Sequence, residues 1–251
     1  MIVFAMAGQS RRFTEAGYDR PKFMLEVGVA TAFDYSVAGF LDHFADEPFV
    51  FVYRETSGVR DFLNARLTAL GVANPRLVEL NAPTSGQAET VERGLKGLGD
   101  TTGELTIFNI DTFRRNFTAP AAAARGDGYL EVFEGSGANW SFARTESPDS
   151  DRVVQTTEKD PISNLCCTGL YHFRRIHDFM WALARERVAP TTTLGETYVA
   201  PIYNHLIQRG ADIRRHLVQA EDVIFCGVPA EYEALVADPG QLASLTLRIG
   251  A

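Results

Sequence analysis

Residues Met1–Phe13 read MIVFAMAGQSRRF, and residues Arg20–Val27 read RPKFMLEV. Ile2–Met6 is an apolar run of strand length, the pattern of a strand buried on both faces of a parallel sheet. It runs directly into a small-residue loop, Ala7–Phe13, that carries two adjacent arginines. A strand ending in such a loop can turn its backbone N–H groups toward an anion. Arg11 and Arg12 add planar forks of donors that match phosphate oxygens. Lys22 follows behind the rigid Pro21, where it can act as a point charge on a phosphoryl group. Each piece alone reads as a solvated basic turn. Their order, strand then loop then arginines then Pro-Lys, points to a phosphate cradle.

Working outward, helix-length and strand-length patterns alternate. Phe33, Val37, Phe40 and Leu41 recur at helical spacing and predict a helix over 32–44. Pro48–Tyr53 reads as a second strand, 58–70 as a helix stopped by Gly71, and Arg76–Leu80 as a third strand. Ala88, Val91 and Leu95 then share one helical face, and Leu105–Ile110 reads as a fourth strand ending at Asp111. Strand, loop and helix in repetition predict a parallel, doubly wound arrangement. Further on, GYLEVFEG, ANWSFARTE and RVVQTTEKD look like antiparallel strands, and LCCTGLYHF is another strand. Helices over about 174–187 and 196–208 follow, then IRRHLV and DVIFCGV. The expected architecture is α/β, a mixed, mostly parallel sheet flanked by helices. It is a single domain over 1–251, with residues 1–115 as a nucleotide-binding half and 116–251 as an acceptor-binding half.

The 251 residues suffice for a sizeable core, and 45% hydrophobic with 22% charged residues is ordinary for a globular chain. A formal net charge of -8 argues against nucleic-acid and anionic-membrane partners, so anion binding must come from a local basic cluster or a bound cation. The apolar start is too short for a signal peptide or a membrane span. Cys166, Cys167 and Cys226 are odd in number and lack metal spacing, which reads as reduced thiols in a cytoplasmic protein. Oligomeric state is open, a homo-oligomer included.

Three further stretches carry chemistry. In TSGQAETVERGL (Thr84–Leu95), Gly86 opens a helix and would let a flat base approach the backbone, while the Gln87 amide both donates and accepts. A plain helix start, capped by Thr84 or Ser85 with Glu89 in the first turn, explains the same residues. In LTIFNIDTF, Asp111 lies just beyond a strand. One carboxylate with substrate phosphates is a normal Mg2+ site, and a turn or cap is the alternative. In TTTLGETYV, Thr193 and Glu196 form a capping-box pattern.

AGQSRRF and RPKFMLEV together resemble the signature of the sugar-1-phosphate nucleotidyltransferases, A-G-x-G-S/T-R-F/L followed by P-K-x-M/L-L/I-x-V/I. Related cytidylyltransferases acting on small phosphorylated molecules share it. The resemblance implies a Rossmann-like nucleotidyltransferase fold, akin to that of GT-A glycosyltransferases. It also implies transfer of a nucleoside monophosphate from a nucleoside triphosphate to a small phosphorylated acceptor, with Mg2+ and release of pyrophosphate. Capsule or other surface polysaccharide is the implied destination.

By the match, Arg12 looks like the catalytic arginine and Lys22 like the phosphate-binding lysine. Ala7, Gly8, Gln9, Ser10 and Arg11 correspond to the nucleotide loop, Gly86 and Gln87 to base-reading residues, and Asp111 to the metal ligand, supported by Asn109. TTEKDPISNLCCTGLYHF is similar to the family's E-K-P stretch and implies acceptor-binding roles for Glu158, Lys159 and Gly169, joined by Glu196.

Two departures stand out. Ser10 replaces the second loop glycine, which strains the loop if φ is positive there. Phe225 occupies the position of the family's second metal carboxylate, leaving Asp222, out of register, as the remaining candidate. A glycosyltransferase using NID as its metal motif and a non-catalytic nucleotide or sugar-phosphate binder are the competing readings.

Overall fold

The structure is a computed structural model that describes residues 1–56, 58–99, 102–192 and 195–247. Its strands are β1 Ile2–Ala5, β2 Glu26–Val27, β3 Ala30–Thr31, β4 Phe49–Tyr53, β5 Pro75–Glu79, β6 Leu105–Phe108, β7 Thr112–Arg114, β8 Gly128–Glu134, β9 Ser141–Thr145, β10 Val153–Glu158, β11 Leu165–Phe173, β12 Ile213–Leu217 and β13 Val223–Phe225. Its helices are α1 Arg11–Glu15, α2 Ala32–Ala38, α3 Val59–Leu70, α4 Gln87–Leu98, α5 Ala121–Arg125, α6 Ile176–Val188, α7 Tyr203–Gln208 and α8 Pro229–Ala237. The fold is the expected mixed α/β arrangement. Among the described residues, no helix is long and apolar enough to cross a membrane.

Contacts group the chain into two compact units. One, the loop unit, collects Ile2–Pro83, Asn109–Thr118 and the chain from Glu221 on. The other, the bulge unit, collects Met1, Thr84–Phe108 and Ala119–Ala220.

In the loop unit β1, β4 and β5 are parallel, with Ala5 level with Val52 and Val52 with Val78. Their apolar residues stack through aromatic rings. Phe4 and Phe51 lie 5.2 Å apart, Phe33 and Phe51 5.5 Å, and Phe4 and Phe40 5.7 Å. Helix α2 starts from a capping box in which Thr31 and Asp34 bond reciprocally. It stops at Ala38, not at the expected 44. A Cβ on Gly39 would come within 2.7 Å of the Arg114 side chain, and the Gly39 carbonyl accepts a 2.6 Å bond from Phe117 N–H. This close approach to the chain after β7 ends the helix, and a 3-10 turn at Leu41–His43 replaces its last residues. The short β13 runs antiparallel to β7, with Phe225 opposite Thr112 and Val223 opposite Arg114.

In the bulge unit β11 is a long strand that pairs β8 and β6 antiparallel and touches β9 at one position. Its register against β8 shifts between Cys167 and Tyr171, and Gly169 sits in that shift at φ 98°, a left-handed value suited to glycine. β12 pairs β8 in parallel, and the remaining pairs of this unit follow the antiparallel expectation. Phe173 stacks on Tyr203 at 4.4 Å, and Tyr203 donates to the His172 carbonyl at 2.8 Å. The helix expected from 196 begins as a 3-10 turn at Ala200–Ile202, with Pro201 in its first positions, and becomes α-helical only at Tyr203. Thr193, half of the expected capping box, lies outside the described residues. The thiols of Cys166, Cys167 and Cys226 are free and buried.

Candidate active site

The loop after β1 is shorter than expected, because α1 begins at Arg11. Ser10 is the residue before that helix and holds φ 48° and ψ 32°, a left-handed conformation that favours glycine. That costs a serine about 1 kcal/mol. Among the described residues, no hydrogen bond uses the backbone N–H of Gly8, Gln9 or Ser10. Three successive donors thus stand open at the end of a buried strand, the arrangement that cradles an anion. The Ser10 hydroxyl accepts from Lys22 N–H at 3.4 Å, which ties the lysine segment to the loop.

Lys22 lies in a 3-10 turn whose neighbours Phe23 and Met24 are buried, so its backbone is anchored. Its ammonium donates to Asp111 Oδ2, and both side chains are about four-fifths out of solvent. Asp111 is held in turn by its carbonyl, which accepts from Cys226 N–H at 2.8 Å. The Ser36 hydroxyl bonds the Asn109 carbonyl at 2.9 Å, fixing the same segment upstream. Arg11 reaches the Gln9 carboxamide only at 3.5 Å. Arg12 is exposed, and its guanidinium has no hydrogen bond or ion pair to a described residue.

Asp222 is placed elsewhere on this unit. Its carboxylate pairs with Arg115 at 3.2 Å and its carbonyl accepts from Arg115 N–H, at the opposite end of the β7–β13 pair from Asp111. The structure therefore does not bring Asp222 to Asp111. A magnesium ion fits what is present beside Asp111. The carboxylate is a hard donor, and Gly227 leaves room, since a Cβ there would lie 3.2 Å from Oδ2. Cys226 is no ligand for a hard cation. Burial, reinforced by the Asp111 charge against the opposing charge of Lys22, pushes its thiol up to about 12. Among the described residues no three acidic, histidine or cysteine side chains gather into a metal cage. One carboxylate completed by substrate oxygens is a normal magnesium arrangement.

The bulge unit holds the other expected residues, and they meet through one segment. Thr197 exchanges backbone bonds with Ser85 and Ala88, both at 3.0 Å, and a Cβ on Gly86 would fall 2.6 Å from the Thr197 carbonyl. The close approach that glycine allows at position 86 is thus used by the protein's own backbone, and Gln87 is the first residue of α4. One residue on, the Tyr198 hydroxyl accepts from the Lys159 ammonium at 2.8 Å, and the ammonium lies 4.9 Å from the Tyr198 ring centre. Lys159 holds φ 56°, a second left-handed non-glycine position. Glu158 is hydrogen-bonded by Ser141. Burial raises its carboxyl above the usual range, Glu196 adds to the rise, and the Ser141 bond and Lys159 oppose it. Glu158 and Lys159 are not bonded to each other, since Ser141 holds Glu158 and Tyr198 accepts from Lys159.

No protein-family model matches the chain, and no curated protein matches it. Among solved structures, the nucleoside-diphosphate-sugar pyrophosphorylase from Vibrio cholerae RC9 is 48% identical, aligns over 95% of this chain and 100% of its own, and superposes with a TM-score of 0.91. The chain belongs to that pyrophosphorylase family. More distant members of the fold include the inositol-1-phosphate CTP transferase from T. maritima, 17% identical over 98% of this chain and 96% of its own with a TM-score of 0.69. The UDP-glucose pyrophosphorylase from Acinetobacter baumannii is also 17% identical, over 98% and 94%, with a TM-score of 0.69.

In this pyrophosphorylase relative the sequence reading omits one group that the structure places at the loop. A cavity of about 260 Å³ is lined by Gly8, Gln9 and Ser10 together with Asp19, Arg20 and Arg54. Arg54 directly follows β4, and only the parallel register of β1 and β4 reveals that it leaves the sheet beside the loop.

Proposed function

We propose that the protein transfers a nucleoside monophosphate from a nucleoside triphosphate to a phosphorylated sugar, releasing pyrophosphate. The observation that carries this reading is the loop Gly8–Ser10, with three open N–H groups, joined through Ser10 to a lysine paired with Asp111. Kinship at 48% identity with a nucleoside-diphosphate-sugar pyrophosphorylase supports it.

In this mechanism a phosphate oxygen of the acceptor attacks the α-phosphorus in line with the departing pyrophosphate. The new P–O bond forms as the bond to the β-phosphate oxygen breaks, and the electron pair leaves with pyrophosphate. No covalent enzyme intermediate is needed, so catalysis consists of alignment and charge neutralisation. The open N–H groups and Arg12 hold the β- and γ-phosphates. Lys22 exchanges Asp111 for the α-phosphate and the incoming group. A magnesium ion held by Asp111 and substrate oxygens supplies further charge neutralisation when bound. On the acceptor, Lys159 meets the phosphate and Glu158 with Glu196 meets the hydroxyls. Gln87, at the start of α4, meets the base, and Gly169 lets the acceptor approach the backbone. The product is an activated sugar suited to glycan assembly, and surface polysaccharide is the destination that the family resemblance favours.

The test is a matrix of the four nucleoside triphosphates against sugar 1-phosphates and other small phosphorylated acceptors, read by pyrophosphate release with and without Mg2+. Release with one pair and its dependence on Mg2+ are expected. Nucleotide binding with no release for any pair would favour the non-catalytic binder instead.

A further inference from the structure

We propose that Arg54 is a further nucleotide-binding arginine, contributed by β4, that contacts an anionic oxygen of the nucleotide's phosphate chain. The assignment rests on the nucleotidyl-transfer reading and adds a contact that the sequence motifs do not contain. Three observations carry it.

Register comes first. Ala5 is level with Val52, and Met6 N–H donates to the Val52 carbonyl at 2.8 Å. Two residues further along each strand, Ala7 and Arg54 leave the sheet at the same end. Ligands of open α/β sheets bind at that end.

Enclosure comes second. Arg54 shares the cavity of about 260 Å³ with the backbone of Gly8, Gln9 and Ser10, whose N–H groups are open. Two arginines, Arg20 and Arg54, and one acid, Asp19, line it, so its local balance is positive while the whole chain carries -8.

The third observation concerns bonding. Arg54 is half-buried, yet it makes no hydrogen bond or ion pair to any described residue. Two other arginines of this unit are engaged, Arg60 with Glu79 at 2.7 Å and Arg66 with Asp34 at 2.8 Å. The neighbouring carboxylate that could have served Arg54 is spent, since Glu55 accepts from Val59 and Arg60 N–H at the start of α3. A guanidinium partly withdrawn from water, with five donors unspent, calls for an acceptor of its own. A phosphate oxygen beside the loop satisfies it.

The test is calorimetric titration of inorganic tripolyphosphate, and separately of each nucleoside triphosphate, into the full chain, its Arg54→Gln variant and its Arg54→Lys variant. Arg54→Gln should bind both kinds of ligand about 10- to 100-fold more weakly, the range of one charge-assisted hydrogen bond. Arg54→Lys keeps the charge without the fork and should lose a smaller factor. Because Arg54 makes no hydrogen bond or ion pair to a described residue, the melting temperature of either variant should stay within a few degrees of the parent. Should Arg54→Gln unfold, the Lys variant carries the comparison. Unchanged tripolyphosphate affinity in the variants overturns the proposal. So does a loss confined to nucleotides, which would place the guanidinium on the base, and so does a parent chain that does not bind tripolyphosphate. Failure of the activity reading is seen elsewhere, as absence of pyrophosphate release by the parent chain.

Discussion

Lys22 and Asp111, 89 positions apart, are joined by an ion pair in which the ammonium donates to Oδ2. The pair brings together the two charges expected at a phosphate site, and Asp111 orients Lys22 while the ammonium keeps further donors and the carboxylate a second oxygen. A partly buried pair loses most when one partner is removed and the other is left uncompensated.

Lys22→Ala and Asp111→Asn should each lower pyrophosphate release by roughly 100- to 1000-fold, the usual effect of deleting one charge-stabilising group. Arg12→Ala should fall in the same range with no change in melting temperature, because its side chain is exposed and makes no bond within the described residues. Stopped assays on folded variants, checked by circular dichroism, decide this. Near-normal turnover in any of them would remove the role assigned to that residue.

Ser10 holds a left-handed backbone without the freedom of glycine. Ser10→Gly should be tolerated, gaining up to about 1 kcal/mol from relieved strain less the loss of a weak bond from Lys22 N–H. Ser10→Val should destabilise the loop and raise the KM for the triphosphate, since a β-branched residue resists positive φ. Melting temperatures and KM values of the two variants test the pair.

Gly86→Ala places a methyl group 2.6 Å from the Thr197 carbonyl and 2.7 Å from its nitrogen. Backbone cannot yield cheaply there, so a loss of about 1–3 kcal/mol is expected, the range of overpacking. Chemical denaturation of the variant measures it, and an unchanged midpoint would contradict the close approach.

His172 is buried against Tyr129, and burial, with smaller contributions from the amino terminus and Arg174, lowers its pKa from 6.5 to about 4. Among the described residues its Nε2 has no partner. The unfolded chain then binds a proton that the folded chain refuses, so stability is lost as pH falls from about 6.5 toward 4. A gap of about 2.5 pH units at ~1.4 kcal/mol per unit is worth roughly 3 kcal/mol. Denaturation midpoints between pH 7 and 4 should show this slope in the parent and a shallower one in His172→Gln.

What the sequence disclosed depended on length and pattern. β1, β4 and β6 are recognisable as apolar runs, and the order of loop, arginines and Pro-Lys is what suggests a phosphate cradle. Helix α2 was overrun because Phe40 and Leu41 keep helical spacing beyond the point where Gly39 meets the chain after β7. β2, β3, β7 and β13 span two or three residues each, too few to show a period. Asp222 stayed a candidate because chain position cannot reveal that β13 runs antiparallel to β7 and carries it away from Asp111. Arg54 left no signal at all. An arginine after a strand reads as solvated until the neighbouring strand's register is known.

The loop unit draws on three stretches of chain, and the carbonyl of Asp111 is anchored by Cys226, 115 positions later. During synthesis the N-terminal cradle leaves the ribosome first, but the hydrogen bond that steadies its carboxylate cannot form until the chain has been extended past Cys226. Nascent chains arrested before that point should lack this anchor and bind a triphosphate more weakly than chains extended past Cys226.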